Sequence, residues 1–224
     1  MTSPAAHVDT VVFDIDGTLV DSNYHHTIAW HRAFRAHGHD VPCWRIHRCI
    51  GMGGDRLVAA AAGQEVEDRD GDAVRKTWEQ EYDEMLREPT ALPGARELLS
   101  TLRDRGMTVV LASSAIPRHA SRALELLGAD ERVDEVTTSE DAEESKPDPE
   151  LLEAAIARAD ARSSVLVGDS VWDVEAANRV GIRTVAVLTG GFSEAELRSA
   201  GAAWVLSDTR DLLARLDDVV GRRS

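Results

Sequence analysis

Val11-Val12-Phe13-Asp14-Ile15-Asp16-Gly17-Thr18-Leu19-Val20-Asp21-Ser22 opens as an apolar run, then delivers two carboxylates, a glycine and a hydroxyl in quick succession. An unbroken apolar run suits a strand buried on both faces, as in a parallel sheet. In an open α/β sheet, ligands bind beyond the carboxyl ends of the strands, which is where Asp14 and Asp16 would fall. Alternation along the strand projects both aspartates the same way and turns Ile15 into the packing. Two carboxylates on one face are costly unless a cation, a shared proton or a charged substrate offsets them. An acidic turn would need no such partner, because Asp-Gly is common turn chemistry. The remainder of the chain has to separate the two readings.

Outward from this stretch the chain changes rhythm once. The first strand is expected over 8–15, followed by helices over 24–37, 55–62 and 72–87 and no strand between. In the first of these helices Ile28, Trp30, Ala33 and Phe34 recur at helical spacing; in the last, Val74, Trp78, Tyr82 and Met85 form one stripe. From residue 93 strands and helices alternate. A helix with Leu98, Leu99 and Leu102 inward stops at Gly106, and a strand follows over 107–112. Pro117 starts a helix that Gly128 ends, before a weaker strand over 135–139. Asp148-Pro149 caps the next helix, a strand covers 164–167, and Gly181 ends the helix after it. A strand over 184–188 leads to a short helix, where Ser193 and Glu196 have capping-box spacing. A strand over 203–206 and a helix with Leu212, Leu213 and Leu216 complete the chain. Strands separated by helices pair in parallel through right-handed crossovers. The helical block is then an insertion above the carboxyl end of the first strand.

Three further strand ends carry polar residues. Ser113 and Ser114 follow Val109-Val110-Leu111-Ala112, Lys146 sits in the loop Glu144-Ser145-Lys146-Pro147-Asp148-Pro149, and Asp169 ends Val165-Leu166-Val167-Gly168 with Asp173 four residues on. Singly, Ser113 reads equally as a helix N-cap, Lys146 as a solvated loop residue and Asp173 as an exposed helix residue. Jointly they place several carboxylates and one lysine on a single sheet edge. Two carboxylates about 4 Å apart repel by roughly 4 kcal/mol at an effective dielectric near 20. A divalent cation relieves that repulsion, and oxygen ligands in this number suit Mg²⁺, which favours phosphate substrates.

Composition narrows the partners. The 224 residues are 43% hydrophobic and carry a formal charge of −15, enough for a real core and wrong for nucleic acid. No apolar run approaches the roughly 20 residues of a membrane span. Met1-Thr2-Ser3-Pro4-Ala5-Ala6-His7 lacks the basic start and apolar centre of a signal peptide, and Cys43 and Cys49 read as reduced thiols, so a cytoplasmic location is expected. Disorder is expected only at the two chain ends. The assembly expected is a monomer or a homodimer.

Asp14-Ile15-Asp16-Gly17-Thr18-Leu19-Val20-Asp21-Ser22, Ser113, Lys146-Pro147 and Gly168-Asp169-Ser170-Val171-Trp172-Asp173 resemble, in order, the four motifs of the haloacid dehalogenase superfamily. Within it the chain looks like the branch that includes phosphoglycolate phosphatase and β-phosphoglucomutase. The likeness covers residues 10–190 and implies a doubly wound, Rossmann-like α/β core (1–19 and 90–224) with a small helical cap (20–89) inserted after the first strand. It implies an aspartyl-phosphate mechanism on Mg²⁺ that acts on a small phosphorylated metabolite. Asp14 resembles the nucleophile and Asp16 the general acid/base, while Ser113 and Lys146 resemble the groups that hold the phosphoryl oxygens. Asp14, Asp169 and the backbone carbonyl of Asp16 resemble metal ligands, supported by Asp173. Thr18, Ser114, His26, Gly53 and Arg56 make up the expected substrate-binding set.

The residue types suit that chemistry. A carboxylate nucleophile splits ester hydrolysis into two easier steps. A second carboxyl can protonate the leaving oxygen and then activate water, provided its neighbours keep its pKa high. Asp16 counts against dehalogenases and phosphonate hydrolases, which resemble each other in carrying another residue there. A phosphomutase is the alternative, since His26 and Trp30 fall at positions resembling the mutase's cap entry. Against it stand Asp16-Gly17-Thr18 and the loop Ile50-Gly51-Met52-Gly53-Gly54-Asp55-Arg56, both of which depart from the mutase pattern. A phosphate-binding scaffold without activity would not need every chemical position filled, and a receiver domain would lack the insertion. His25, His26 and His31 are read as cap packing and substrate contacts, because Mg²⁺ prefers oxygen.

Overall fold

β1 (Thr10–Phe13) runs through the middle of a six-stranded sheet in the computed structural model, which describes residues 8–142 and 144–221. The chain ends for which the sequence predicts disorder lie outside the described residues. After β1 come β2 (Val20–Asp21), α1 (Asn23–Ala36), α2 (Cys43–His47), α3 (Gly54–Ala62), α4 (Gln64–Met85) and β3 (Thr90–Ala91). The alternating part follows: α5 (Ala95–Asp104), β4 (Thr108–Ala112), α6 (Pro117–Leu127), β5 (Glu135–Thr137) and α7 (Glu150–Arg158). It continues through β6 (Ser164–Gly168), α8 (Val171–Val180), β7 (Arg183–Val187), α9 (Glu194–Ala200), β8 (Trp204–Leu206), α10 (Thr209–Ala214) and α11 (Leu216–Val220).

The sheet order is β5-β4-β1-β6-β7-β8 with every pairing parallel. Side-chain alternation on β1 feeds two cores. Val11 and Phe13 join Leu98, Leu102, Leu127 and Leu216 on one face, and Val12 joins Leu151, Leu152, Ala155 and Ala177 on the other. Helices cover both faces, so the core is doubly wound. Strand order reverses at β1, which opens a crevice beyond its carboxyl end.

The insertion hangs from the antiparallel ribbon of β2 and β3, where Val20 opposes Ala91 and Asp21 opposes Thr90. It has a hydrophobic cluster of its own, built from Trp30, Phe34, Ile46, Leu57, Val74, Trp78 and Tyr82 among others. Trp30 of α1 and Trp78 of α4 stack with centroids 4.6 Å apart and planes 8° apart. Such a pair adds about 1 kcal/mol beyond its buried area.

Three expectations about elements need correction, and α2 and the β2–β3 ribbon come in addition to the elements expected. α4 begins at Gln64, eight positions before the helix expected from 72, because its first two turns are almost wholly polar and carry no stripe. Ile28 is 41% exposed, so the buried stripe of α1 is Ala29, Trp30, Ala33 and Phe34 without it. α2 and the β2–β3 ribbon are too short to show a period. The single final helix is two, α10 and α11, which meet at Arg215. No helix among the described residues is long and apolar enough to cross a membrane.

Candidate active site

The register of the central strands gathers the polar strand ends. Phe13 opposes Leu111 on β4 and Val167 on β6, so Asp14, Ser113 and Asp169 all emerge at one edge. The backbone N–H of Asp14 still donates to Val167 O at 2.9 Å, which fixes the first carboxylate at the end of the ladder. The chain then turns back, with Leu19 and Val20 N–H both donating to Ile15 O. Ile15 enters the core, whereas Asp14 and Asp16 line the same small cavity. Gly17 makes the turn with φ +78, and a Cβ there would stand 2.4 Å from Asp169 Oδ2. Gly190 approaches that oxygen still more closely, since its Cβ would stand 1.8 Å away. Glycine at these two positions lets Asp169 sit where it does.

Lys146 bonds Asp14 and lies 2.7 Å from Asp173 Oδ1, all three side chains being buried. Asp173 is the N3 residue of a capping box on α8: its Oδ2 accepts from Ser170 Oγ at 2.6 Å and from Ser170 N at 3.1 Å. Asp169 accepts from Thr18 Oγ1 at 3.1 Å and from Asn23 Nδ2 at 2.8 Å. Asp14, Asp169 and Asp173 each offer an oxygen within 4.8 Å of the others. Three buried carboxylates facing one ammonium leave an excess of negative charge in an all-oxygen cluster. A hard divalent cation such as Mg²⁺ fits both the charge and the donor set.

The electrostatics agree with that fit. Burial pushes the Asp14 carboxyl up to about 7; Lys146 pulls against this, and Asp173 and Asp16 add to it. Burial, then Asp14 and Asp173, hold Asp169 well above the ordinary carboxylate range. Burial disfavours the charge on Lys146, but Asp14 and Asp173 outweigh it and keep the ammonium protonated. Asp16 behaves oppositely. Burial would raise it, yet His26 and the Ser22 hydroxyl overcome that and hold its carboxyl below the usual range. Its Oδ1 accepts from Ser22 Oγ at 2.5 Å and faces His26 Nε2 at 3.3 Å. The sequence-level requirement that neighbours keep the Asp16 pKa high is therefore not met. The Asp16 carboxylate is not one of the three that lie within 4.8 Å of one another.

Other expected residues fall in different places. Ser113 is fully buried at the end of β4, its Oγ accepting from Ala115 N at 3.1 Å. Asp14, Asp16, His26, Gly53, Trp78 and Ser114 line an inner chamber of about 50 Å³. Gly53, Gly54, Trp78 and Ser114 also border an outer chamber of about 220 Å³. Thr18 lines neither chamber, since it is fully buried and spends its hydroxyl on Asp169. Arg56 also lines neither; its guanidinium bonds Glu144 at 2.6 Å, tying the insertion to the Lys146 loop. The histidines diverge: His25 faces Glu88, His26 stacks on Tyr82 at 3.8 Å and His31 bonds Val41 O.

Sequence reasoning missed Asn23, which holds Asp169, and the ring cluster of Trp78, Tyr82 and His119 behind His26. Asn23 left one signal, an amide on the first turn of a helix directly after the acidic motif. His119 left none, because its partner Asp83 is far along the chain. The insertion is seated on the core by Gly53 N to Ser145 Oγ at 2.9 Å, His47 Nε2 to Gly190 O at 2.9 Å and Arg48 to Glu196 at 2.5 Å.

Known proteins are similar to this chain in sequence and in fold. The chain is 28% identical over 96% of its length to 97% of a pyrophosphatase of Halalkalibacterium halodurans. It is 30% identical over 90% of its length to 88% of a phosphoglycolate phosphatase of Rhodospirillum rubrum. A crystal structure of a hydrolase from Pseudomonas syringae superimposes with a TM-score of 0.89 at 35% identity, covering 94% of this chain and 98% of that one. The haloacid dehalogenase-like hydrolase family model matches residues 8–181, and with that match and the acidic strand-end cluster this chain belongs to that family.

Proposed function

We propose that this hydrolase is a Mg²⁺-dependent phosphatase that cleaves a small phosphorylated metabolite through a phosphorylated Asp14. The observation that carries the reading is the convergence of Asp14, Lys146, Asp169 and Asp173 in a buried cluster, with Asp14 lining the inner chamber. Asp14, Asp169, the Asp16 backbone carbonyl and, through its support, Asp173 would hold the cation. When bound, it would neutralise carboxylate and phosphate so that they can approach. Asp14 attacks phosphorus, and the bond to the leaving oxygen breaks. Lys146 and Ser113 hold the phosphoryl oxygens, the lysine as a point charge where negative charge develops. The leaving oxygen takes its proton from the hydrogen-bonded Asp16–His26 pair, which recovers one from the water that opens the acyl phosphate. Sharing the proton between two groups reconciles an acid role with the low pKa of Asp16.

Residues 20–89 act as a cap over a catalytic core of 1–19 and 90–224, shielding the acyl phosphate until water is positioned. Hydrolysis is favoured over transfer to a second sugar hydroxyl. A mutase needs a grip for a second phosphate in the cap, yet Arg56 is bonded to Glu144 and the Gly53 amide to Ser145. The test pairs trapping with turnover. Beryllium fluoride with Mg²⁺ should give an adduct on Asp14, and inorganic phosphate should appear from small monophosphates. An adduct elsewhere, or isomerisation of β-glucose 1-phosphate well ahead of phosphate release, overturns the reading.

A further inference from the structure

We infer that Asn23 is a positioning residue for the cation site, and that it makes cation affinity and the seating of the insertion depend on each other. The inference rests on the cation site of the phosphatase reading and deepens it. Asp169 is gripped from two sides. Its Oδ1 accepts from Thr18 Oγ1 at 3.1 Å, and its Oδ2 accepts from Asn23 Nδ2 at 2.8 Å. Asn23 is the first residue of α1 and only 4% exposed, so the second bond reaches from the insertion to a carboxylate that a cation needs. Gly17 lets the pair close in, since a Cβ there would stand 2.3 Å from Asn23 Nδ2 and 2.4 Å from Asp169 Oδ2. A neutral donor suits this place. It fixes the orientation of the carboxylate and leaves its negative charge for the cation, whereas a lysine or arginine would compete for that charge.

The amide oxygen supplies the second observation. An ionised carboxylate only accepts, so Asn23 must face Asp169 with its nitrogen and turn its oxygen away. That oxygen, Oδ1, is shielded from solvent and has no hydrogen-bond partner among the described residues. Buried acceptors are ordinarily paired, so one left open beside a ligand carboxylate points to a donor that arrives with the ligand. Mg²⁺ keeps several of its waters, and their protons need acceptors. Asn23 then serves both parts of the site, its nitrogen on the ligand carboxylate and its oxygen on a water that the cation keeps.

A second part of the insertion bears on the same carboxylate. His47 of α2 donates from Nε2 to Gly190 O at 2.9 Å, and Gly190 packs so close to Asp169 that a Cβ would stand 1.8 Å from Oδ2. α1 meanwhile carries Trp30 and Phe34 into the insertion's own hydrophobic cluster, so reorienting that body reorients the Asn23 amide. Seating the insertion therefore orients Asp169, and a cation on Asp169 holds the insertion in place. Such a coupling is reciprocal by linkage.

Melting of the full chain across Mg²⁺ concentrations, with EDTA as the zero point, gives an apparent Kd for the wild type, Asn23→Ala and Asn23→Leu. Leucine fills the space of the amide and removes only its polar atoms, which guards against the gap that alanine leaves. Both variants should bind Mg²⁺ about tenfold or more weakly. A merely structural amide would lower Tm equally in EDTA and in Mg²⁺ and leave Kd unchanged, and that result overturns the inference while the phosphatase reading stands. Hydrogen exchange reads the other half. Mg²⁺ should slow exchange in residues 50–54, where Gly53 N donates to Ser145 Oγ across to the core, by about fivefold in the wild type and not in Asn23→Leu. No protection in the wild type, or equal protection in Asn23→Leu, overturns the coupling. A wild type whose Tm ignores Mg²⁺ overturns the cation site itself, and with it both readings.

Discussion

Asp14 and Asp16 stand two positions apart and end in opposite electrostatic states, and their neighbours account for the difference. Asp14 has one cation shared with Asp173 and is pushed up to about 7, whereas Asp16 has a hydroxyl and an imidazole to itself and is held low. An aspartate already ionised can return a proton to a leaving oxygen only through a partner, which gives His26 a defined task. Asp16→Asn should therefore lower kcat by about 10²- to 10⁴-fold and leave the Asp14 fluoride adduct intact. His26→Gln should cost less and change the alkaline limb of the pH–rate profile, where loss of a proton donor slows departure of the leaving oxygen. A His26→Gln profile that matches the wild type would remove His26 from the proton path. At this scale the sequence exposes residues whose place follows from a strand end, as with Asp14, Asp169 and Lys146. It conceals residues whose task depends on a distant partner. Thr18 and Arg56 read as substrate contacts, but their acceptors, Asp169 and Glu144, lie 151 and 88 positions along the chain. Local pattern cannot supply that information.

Among the elements, α4 and α6 carry the contact that sequence periodicity cannot reveal. The stripe of Val74, Trp78, Tyr82 and Met85 correctly marks the buried face of α4, because a 3.6-residue repeat is a property of one segment. That Asp83, beside that stripe, reaches His119 of α6 at 3.0 Å is a property of how two segments meet. The His119 side chain is only 2% exposed and packs against Tyr82 with centroids 4.6 Å apart. Burial holds the His119 pKa below its ordinary 6.5; the Asp83 hydrogen bond opposes this, and His26 and Arg118 reinforce it. The unfolded chain then takes up the proton first. Stability associated with neutral His119 is present above about 6.5 and is lost as pH falls below it. Urea midpoints measured at pH 5.5 and 7.5 should show a smaller acid-induced loss for His119→Gln than for the wild type. Equal losses would place the acid sensitivity elsewhere. Arg118–Asp83, with side chains 51% and 39% exposed, should contribute little, so Arg118→Ala should shift the midpoint only slightly.

For the molecule as a whole, the sheet and its insertion bring like charges together, and the fold carries the cost when no cation is present. Hydrophobic order made the architecture legible: alternating apolar strands and striped helices identify a parallel sheet, and the long strandless stretch identifies the insertion. Closeness of carboxylates was legible only as a convergence of strand ends, since distances of a few ångströms depend on Gly17 and Gly190 letting Asp169 approach. Asp14, Asp169 and Asp173 are buried with oxygens within 4.8 Å of one another, so a bound divalent cation should stabilise the native state and not the unfolded chain. At a hundredfold excess over Kd the gain is about 2.7 kcal/mol. For a chain of this size that corresponds to a rise of roughly 5–10 °C in Tm. Melting curves in EDTA and in millimolar Mg²⁺ measure it directly. Protons compete for the same oxygens, and burial pushes Asp14 up to about 7, so the rise should shrink as pH falls below that value. Asp169→Asn should remove most of the rise while retaining a cooperative transition. Equal melting temperatures for the wild type with and without Mg²⁺ at pH 7.5 would show that the acidic cluster does not act as one metal site. Lys146 and the hydrogen bonds that Asp169 and Asp173 accept would then be what makes the burial of the cluster tolerable.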